Sequence, residues 1–233
     1  NIRVRKEKRH MSYNKTKTDP VLGQQVHEHL VKMGVETPVI DNGLSRTDKI
    51  DKIENNFNEI METLGLDLTD DSLMDTPKRV AKMYVNEIFW GLDYEAFPKA
   101  TVVDNKMNYN EMVCEKNISV QSNCEHHFVI IDGLATVAYV PNKKVLGLSK
   151  INRIVEYFSK RPQIQERLTE QIYHALSFIL DTEDVAVMID AQHYCVKSRG
   201  VEDTGSSTIT SRLGGGFKSD PEVRAEFLAL ARS

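Results

Sequence analysis

The sequence predicts an α+β fold, because helix-like and strand-like patterns occupy different parts of the chain. Apolar residues recur at helical spacing through most of the first hundred residues. After about Asn110, short β-rich runs separated by turn formers follow, and then two further helical patterns. We divide the chain accordingly into a leader at 1–20, a helical N-terminal region at 21–109 and a core segment at 110–233. The leader is interpreted as a disordered arm or an expression remnant.

Three amphipathic helices are predicted in the N-terminal region. The first covers 21–33 and is followed by Gly34, a residue that commonly ends helices. The second carries an apolar stripe over 50–64. The third begins with Thr76 as N-cap and Pro77 at the first helical position. The first hundred residues are therefore expected to be mainly helical.

The β-rich part is predicted to form an antiparallel meander. An Asp132-Gly133 turn is expected to separate two of its strands. Two helices follow, and strand patterns then return before a final helix. The predicted strands are 112–120, 128–131, 135–140, 185–196 and 208–213, and the predicted helices are 149–159, 162–180 and one that begins at Pro221.

Composition and charge exclude several classes of protein. The 233 residues are 40% hydrophobic and 27% charged, with a formal net charge of -4, as in soluble globular proteins. Five Lys or Arg and one Glu lie in the first ten residues, so the rest is more acidic still. That balance argues against a nucleic-acid-coating surface. We find no apolar stretch long enough for a membrane span and no secretory signal, and we expect a cytoplasmic protein.

Two short clusters combine thiols with imidazoles. Cys124, His126 and His127 lie within four residues at the end of a predicted strand. His193 and Cys195 are two residues apart in a later predicted strand, a spacing that would point both to the same face. Zinc binds thiolate and imidazole in tetrahedral arrays, and a catalytic site uses three protein ligands and leaves one position to water. The two thiols and one histidine of the pair would make such a site.

Other arrangements of these residues stay open. A closed Cys2His2 structural site would use two histidines, and the cysteines could instead pack as small hydrophobic side chains. The Cys-x2-Cys and His-x3-His spacings that are usual in closed sites are absent. Cys114 has no His or Cys within nine residues and is interpreted as a strand residue. His27, His29 and His174 are interpreted as surface or packing residues of helices.

Basic side chains near these clusters predict an anionic substrate. Ser149 is a natural N-cap, and Lys150 and Arg153 share one side of the helical turn that follows. A helix N-terminus repels cations and attracts anions, so two cations there indicate a bound anion such as phosphate, with a solvated face as the alternative. Further basic residues lie beside the second cluster and on the third helix, namely Lys197, Arg199, Arg79 and Lys82. In an acidic protein this placement favours a small polyanionic substrate.

These motifs resemble the signature blocks of the GTP cyclohydrolase I family, in the same order. The resemblance covers about 21–233 and rests on four blocks: Cys124 to His127, Gly147 to Arg153, Arg161 to Thr169 and His193 to Gly200. It implies a T-fold, an antiparallel four-stranded sheet backed by two helices, preceded by a helical N-terminal region. It also implies a homodecamer with active sites at the subunit interfaces.

The resemblance implies Zn²⁺ bound by Cys124, His127 and Cys195, with His126 and His193 as the acid/base pair. The implied reaction opens the imidazole ring of GTP: water adds at C8, C8 leaves as formate, and the rearranged ribose closes the ring of 7,8-dihydroneopterin triphosphate. This is the first step of tetrahydrofolate and pterin biosynthesis. The implied substrate contacts are Ser149 at the ribose, Lys150, Arg153 and Arg199 at the triphosphate, Gln165 and Glu166 at guanine, and Arg79 and Lys82 from a neighbouring subunit.

Three alternatives to this activity differ in the residues they need. A zinc-dependent nucleobase deaminase would need His-x-Glu and Pro-Cys-x-x-Cys motifs, which are absent. A nitrile reductase of the deazaguanine pathway would rely on a nucleophilic cysteine without this ligand set. A zinc-binding scaffold could bind a nucleotide or pterin as a sensor. Formate release separates the enzyme from the sensor, because binding alone liberates no carbon.

Overall fold

The computed structural model describes residues 17–232, so most of the predicted leader, 1–16, lies outside the described residues. Helices and strands occupy separate parts of the chain, and the α+β prediction is confirmed. The elements are α1 (Pro20–Met33), α2 (Arg46–Thr63), α3 (Thr76–Met83), β1 (Val102–Asp104), β2 (Val113–Cys124), β3 (Ile130–Tyr139), β4 (Lys144–Leu146), α4 (Leu148–Ser159), β5 (Pro162–Gln163), α5 (Gln165–Leu180), β6 (Val185–His193), α6 (Tyr194–Lys197), β7 (Thr208–Leu213), α7 (Gly215–Ser219) and α8 (Pro221–Arg232).

The main sheet has the strand order β5-β2-β3-β6-β7 within the described residues. β2, β3, β6 and β7 pair antiparallel, and the two runs predicted at 128–131 and 135–140 both overlap the single strand β3. The structure adds β5, a two-residue strand that runs parallel to the end of β2. A run of two residues carries no periodic signal, so the sequence pattern could not reveal it. β1 and β4 form a separate two-stranded sheet.

The N-terminal helices begin where local capping chemistry allows. Asp19 accepts a hydrogen bond from the Leu22 amide and caps α1, which ends at Gly34 in the left-handed conformation, with φ 71°. α2 begins before its apolar stripe, because Ser45 and Asp48 form a reciprocal capping box.

The start predicted for the third helix is wrong by one residue. Asp75 occupies the N-cap position of α3, and Thr76 and Pro77 are its first two helical residues. Asp75 makes no side-chain cap hydrogen bond, and its carboxylate lies 3.5 Å from Arg79 Nη2. A π-helical turn at Tyr84–Ile88 continues α3 towards the core.

The predicted Asp132-Gly133 turn is also wrong, because β3 runs unbroken through both residues. A Cβ atom on Gly133 would lie 2.2 Å from the Asp190 carbonyl oxygen and 2.5 Å from the Ala191 Cα. Glycine is therefore required here by the close approach of β3 to β6. The chain reverses instead between β2 and β3, where Phe128 adopts φ 54°.

The core lies on both faces of the sheet. α4 and α5 pack on one face, and the apolar side chains of both helices form the main core with alternate residues of the strands. α7 and α8 supply a smaller second core around Phe217 and Phe227. Val137 belongs to the main core and its neighbour Ala138 to the second, since successive strand residues face opposite sides. Each large apolar side chain buried in this way contributes about 1.5–3 kcal/mol.

A buried charge joins the segment after α1 to this core. Arg161 is 1% exposed, and its Nη1 donates to Glu36 Oε1 at 3.0 Å. Its guanidinium lies 4.8 Å from the ring centroids of Tyr94, Tyr157 and Phe158. Removing one partner of a buried ion pair typically costs about 3–5 kcal/mol, because the other charge is left uncompensated in the core.

None of the helices found in residues 17–232 combines the length and the apolar character that crossing a membrane requires.

Candidate metal centre

The first metal-binding segment is the tight turn between β2 and β3. Cys124 is the last residue of β2 and is 3% exposed. Its amide donates to the Val129 carbonyl at 2.8 Å, and the Phe128 amide donates back to the Cys124 carbonyl at 2.9 Å. These bonds close the turn, so Cys124 is held inside while His126 and His127 are exposed.

The second segment differs from its prediction. β6 ends at His193, and Cys195 lies in the single helical turn of α6. The prediction that His193 and Cys195 share one face of a strand is therefore wrong, because the strand ends between them. β3 nevertheless brings the two segments together, since it pairs Ile130 with the end of β2 and Ile131 with His193.

The structure places Cys124, His127 and Cys195 around one point. One ligand atom from each lies within 4.8 Å of the other two, and Cys124 Sγ is 4.0 Å from His127 Nδ1. Within residues 17–232, no other group of three or more His, Cys, Asp or Glu side chains has its ligand atoms close enough to hold a metal ion. His126 is not part of this group. Two thiols and an imidazole suit zinc, and three protein ligands leave a position for water. The group can therefore bind a metal ion in an open site.

Protonation of the thiols opposes metal binding here. Burial and, next, the neighbouring Cys124 raise the pKa of the Cys195 thiol. Metals bind the thiolate, so a metal ion has to displace the Cys195 proton. Arg199 is an exposed cation beside the group, with its Nη1 2.9 Å from His127 Nε2.

The two histidines predicted to move protons sit on the two metal-binding segments. The His126 side chain is 67% exposed, with Nε2 3.9 Å from Glu125 Oε1. His193 is half-buried, and its Nε2 lies 2.7 Å from Gln165 Oε1. Burial lowers the pKa of His193, and the negative charge of Glu166 opposes that shift. His193 therefore favours the neutral, proton-accepting form more than a free histidine does.

The predicted N-cap role of Ser149 is wrong. Gly147 is the N-cap of α4, and Ser149 is the second helical residue, exposed to solvent. Lys150 and Arg153 are half-buried on the first turns of the same helix. The order of the residues is as predicted, but the helix begins earlier because Gly147 already has the extended backbone of a cap.

Not all the predicted substrate residues meet the metal group within one chain. Among residues 17–232, no hydrogen bond or ion pair joins Arg79, Lys82, Lys150 or Arg153 to that group. Arg199 does contact it, through His127. The two residues predicted to bind guanine, at the start of α5, differ in exposure. Glu166 is exposed, whereas Gln165 is 1% exposed and contacts His193.

A cleft borders both metal-binding segments. Its volume is about 580 Å³, which suits a small organic ligand. Asn123 and Phe128 line it from the first segment, and Tyr194 and Ser198 line it from the second. Lys160 also faces it, and burial lowers the pKa of this amine. The cleft therefore combines aromatic walls with polar groups, and its lining includes chain neighbours of the metal-binding residues but not Cys124, His127 or Cys195 themselves.

Sequence reasoning missed an ion pair at this site. Arg167 Nη1 lies 2.5 Å from Glu125 Oε2, and Arg167 Nη2 lies 3.4 Å from Glu125 Oε1. Both residues lie inside the motif blocks, and Glu125 lies between Cys124 and His126. That position beside the metal-binding residues was the one sequence feature that could have indicated a role for Glu125. Because 42 positions separate the partners, only the fold reveals that they meet.

Comparison with known proteins shows close similarity to one enzyme family. The family model described as GTP cyclohydrolase I matches residues 53–232. A GTP cyclohydrolase 1 of Shewanella amazonensis is 62% identical over 209 residues, which cover 90% of this chain and 97% of the relative. A GTP cyclohydrolase 1 of Vibrio vulnificus is 60% identical over 205 residues, which cover 88% and 94%. The region matched by the family model contains both metal-binding segments and the first turn of α5.

Proposed function

The chain belongs to the GTP cyclohydrolase I family, and we propose that it opens the imidazole ring of GTP with a zinc ion held by Cys124, His127 and Cys195. The products are formate and 7,8-dihydroneopterin triphosphate, which enters tetrahydrofolate and pterin biosynthesis. The observation that carries this proposal is the convergence of these three side chains within 4.8 Å, in a chain so similar to named GTP cyclohydrolases.

The donor set supports zinc over other common metals. Thiolates favour soft or borderline ions, whereas magnesium and calcium prefer oxygen ligands. Zinc, when bound, acts as a Lewis acid and lowers the pKa of a water molecule to about 7. Cys124 and Cys195 bind as thiolates and His127 as a neutral imidazole, so binding needs both thiols deprotonated.

His126 and His193 handle the protons of the reaction in this proposal. An imidazole changes protonation near neutral pH, so it can accept a proton from the attacking water and return one to the ring nitrogen that departs from C8. Two groups are needed, because proton acceptance and proton donation occur at different atoms. The position of both histidines on the metal-binding segments supports the assignment.

The remaining predicted residues are assigned to binding GTP, except Gln165, whose side chain is buried and contacts His193. Arg199, Lys150 and Arg153 hold the triphosphate, and Ser149 lies at the ribose. The exposed Glu166 carboxylate accepts two N–H groups from guanine. Arg79 and Lys82 contribute from a neighbouring subunit, which would explain why they do not contact the metal group of their own chain.

We also propose a T-fold and a homodecamer with sites between subunits. The antiparallel strands β2, β3, β6 and β7 with α4 and α5 packed on one face support the T-fold, with 110–233 as its core and 21–109 as the helical region. Three cysteines without a disulfide are in keeping with the cytoplasm, where we place the enzyme.

The decisive experiment is chromatography with mass spectrometry of GTP incubated with zinc-loaded protein. We expect dihydroneopterin triphosphate and formate, both abolished by a chelator and restored by zinc. GTP that binds but stays unchanged would refute the enzymatic assignment and favour a nucleotide sensor. Deaminated guanine without formate would indicate deaminase chemistry instead.

A further inference from the structure

The first turn of α5 contacts both metal-binding segments. Gln165 and Arg167 are two positions apart, and their side chains reach different partners: Gln165 contacts His193 and Arg167 contacts Glu125. We propose that these are positioning residues, with Arg167 holding the Cys124–His127 turn for metal binding and Gln165 orienting His193 for proton transfer. The second half of this inference rests on the proposed function, whereas the first half concerns metal affinity alone.

Arg167 and Glu125 form a two-point contact at a half-buried position. The side chains of Arg167 and Glu125 are 18% and 25% exposed. The Glu125 amide also donates to the Gln163 carbonyl at 2.9 Å, just before α5 begins. A planar guanidinium that engages both carboxylate oxygens fixes orientation as well as distance. The turn is therefore fastened to the start of α5 by both its main chain and the Glu125 side chain.

This attachment acts on the metal ligands because of where Glu125 lies. It directly follows Cys124 and is two residues before His127. His127 is exposed, and the Arg199 side chain that contacts its ring is exposed too, so the ring has little buried packing to restrain it. With the Glu125 side chain released, the turn would sample more positions, and binding a metal would have to order it again. Loss of a residue that supports a metal ligand typically weakens metal binding by about 10–100-fold.

Gln165 is held in one orientation by hydrogen bonds inside the chain. Its Nε2 donates to the Thr208 carbonyl at 2.8 Å and to the Ile189 carbonyl at 3.1 Å. Carbonyl oxygens can only accept, so the amide cannot be flipped, and Oε1 must face His193. His193 then donates from Nε2 to Gln165 Oε1 at 2.7 Å. The ring of His193 is thereby fixed, with Nδ1 turned away from Gln165.

This geometry separates the roles of two adjacent residues. Gln165 is 1% exposed, and both hydrogens of its amide have acceptors within the chain. Besides the two carbonyl oxygens, Thr210 Oγ1 lies 3.1 Å from Nε2 as a third acceptor. Its neighbour Glu166 is exposed. Guanine recognition therefore falls to Glu166, and Gln165 acts on the reaction through His193.

The Arg167 half is tested by zinc affinity, measured by competition with a chromogenic chelator. We expect R167M and E125Q to weaken zinc binding at least about tenfold, and the double variant to be no weaker than either single variant. R167K should recover only part of the loss, because an ammonium cannot make the two-point contact. E170Q is the matched control: Glu170 lies on the same helix as Arg167 and pairs with Arg212 of β7, so this change should leave zinc affinity unaltered.

Zinc affinity of R167M and R167K within about twofold of E170Q would overturn this half of the proposal. The melting temperature of each variant, measured with zinc present, identifies any that fail to fold. If R167M does not fold, the zinc affinity of R167K, which keeps the positive charge, decides the test. None of these readouts requires GTP turnover, so they stand even if the proposed function fails.

The Gln165 half is tested by steady-state kinetics with GTP. We expect Q165M to lower kcat at least about tenfold while KM and zinc affinity stay within about twofold, because only the orientation of His193 is lost. Q165E is the second variant, since it keeps the shape of the side chain but cannot donate to the two carbonyls, and it should lower kcat in the same way. A raised KM with unchanged kcat would overturn this half and assign Gln165 to guanine. Absence of GTP turnover in the wild-type protein would instead refute the proposed function.

Discussion

The close approach of β3 and β6 at Gly133 leads to a quantitative prediction for G133A. The added Cβ would lie 2.5 Å from both the Cα and the Cβ of Ala191, whereas non-bonded carbon atoms rest about 3.5–4.0 Å apart, and it would also lie 2.2 Å from the Asp190 carbonyl oxygen. The two strands would have to separate by about 1 Å or more at this point. Such overpacking costs about 1–3 kcal/mol, and two weakened ladder hydrogen bonds add about 1 kcal/mol each.

The expected loss of stability is therefore about 3–5 kcal/mol, which corresponds to a fall in Tm of roughly 6–20 °C for a chain of this size. Zinc affinity should fall as well, because the pair of Ile131 with His193 lies two residues along the same ladder. Thermal unfolding followed by circular dichroism and chelator competition measure the two effects.

G205A is the matched control for this experiment. A Cβ on Gly205 would meet its nearest neighbour, Asp203 Oδ1, at an ordinary 3.7 Å, and the residue is exposed. We expect its Tm to stay within about 2 °C of the wild-type value, since surface substitutions usually change stability by less than about 0.5 kcal/mol. A G133A variant as stable as G205A, with unchanged zinc affinity, would refute the close-approach explanation of this glycine.

Three further predictions concern the metal centre. H127A should lose zinc and activity, whereas H126A should keep zinc and lose turnover. Zinc analysis measures the metal content of both variants and formate release measures their activity. Equal metal content and equal activity in the two variants would contradict the assignment. Metal-free protein exposed to air should form a Cys124–Cys195 disulfide, because the two sulfur atoms lie within 4.8 Å of each other; mass spectrometry that finds both thiols unoxidised would contradict this. Zinc affinity should rise with pH until the raised pKa of Cys195 is reached, because below that pKa the thiol is protonated and has to lose its proton to bind zinc. The rise should be up to about tenfold per pH unit for each thiol that must lose a proton. Chelator competition between about pH 6.5 and 8.5 measures this slope, and a flat profile would show that the thiols are already ionised.

The sequence predicted the long elements well because their signals are local and repeated. α5 carries apolar residues at helical spacing, and the structure buries Leu168, Ile172, Leu176 and Ile179 among them. In α1 the structure buries Val26 and Leu30, whereas Val21 and Met33 near the ends of the helix are exposed. β7 matches its predicted span, since strand propensity and flanking glycines bound it on the chain. These patterns show which face of a helix or strand is apolar, and the spacing of apolar residues along the sequence is enough to reveal that face.

The errors share one physical cause, which is that a local motif has more than one use. Asp132-Gly133 has the composition of a turn, but its glycine serves the contact between β3 and β6. The alternation of His193 and Cys195 suits a strand, but the chain coils into α6 after His193. Ser149 suits a cap, but Gly147 takes that position. At Gly133 a contact with a distant strand decided between conformations that the local sequence allowed.

The sequence by itself determined the chemistry that is available: thiols and imidazoles in two clusters, and basic residues beside them. Residue type sets ligand softness, charge and proton affinity, and these need no fold to be read. Only the tertiary structure decided that Cys124, His127 and Cys195 meet, because β3 brings two distant segments together. It also placed Arg167 on Glu125 and Gln165 on His193. These contacts join residues 42 and 28 positions apart, and no local pattern records such distances, since pairing across a fold depends on the whole chain at once.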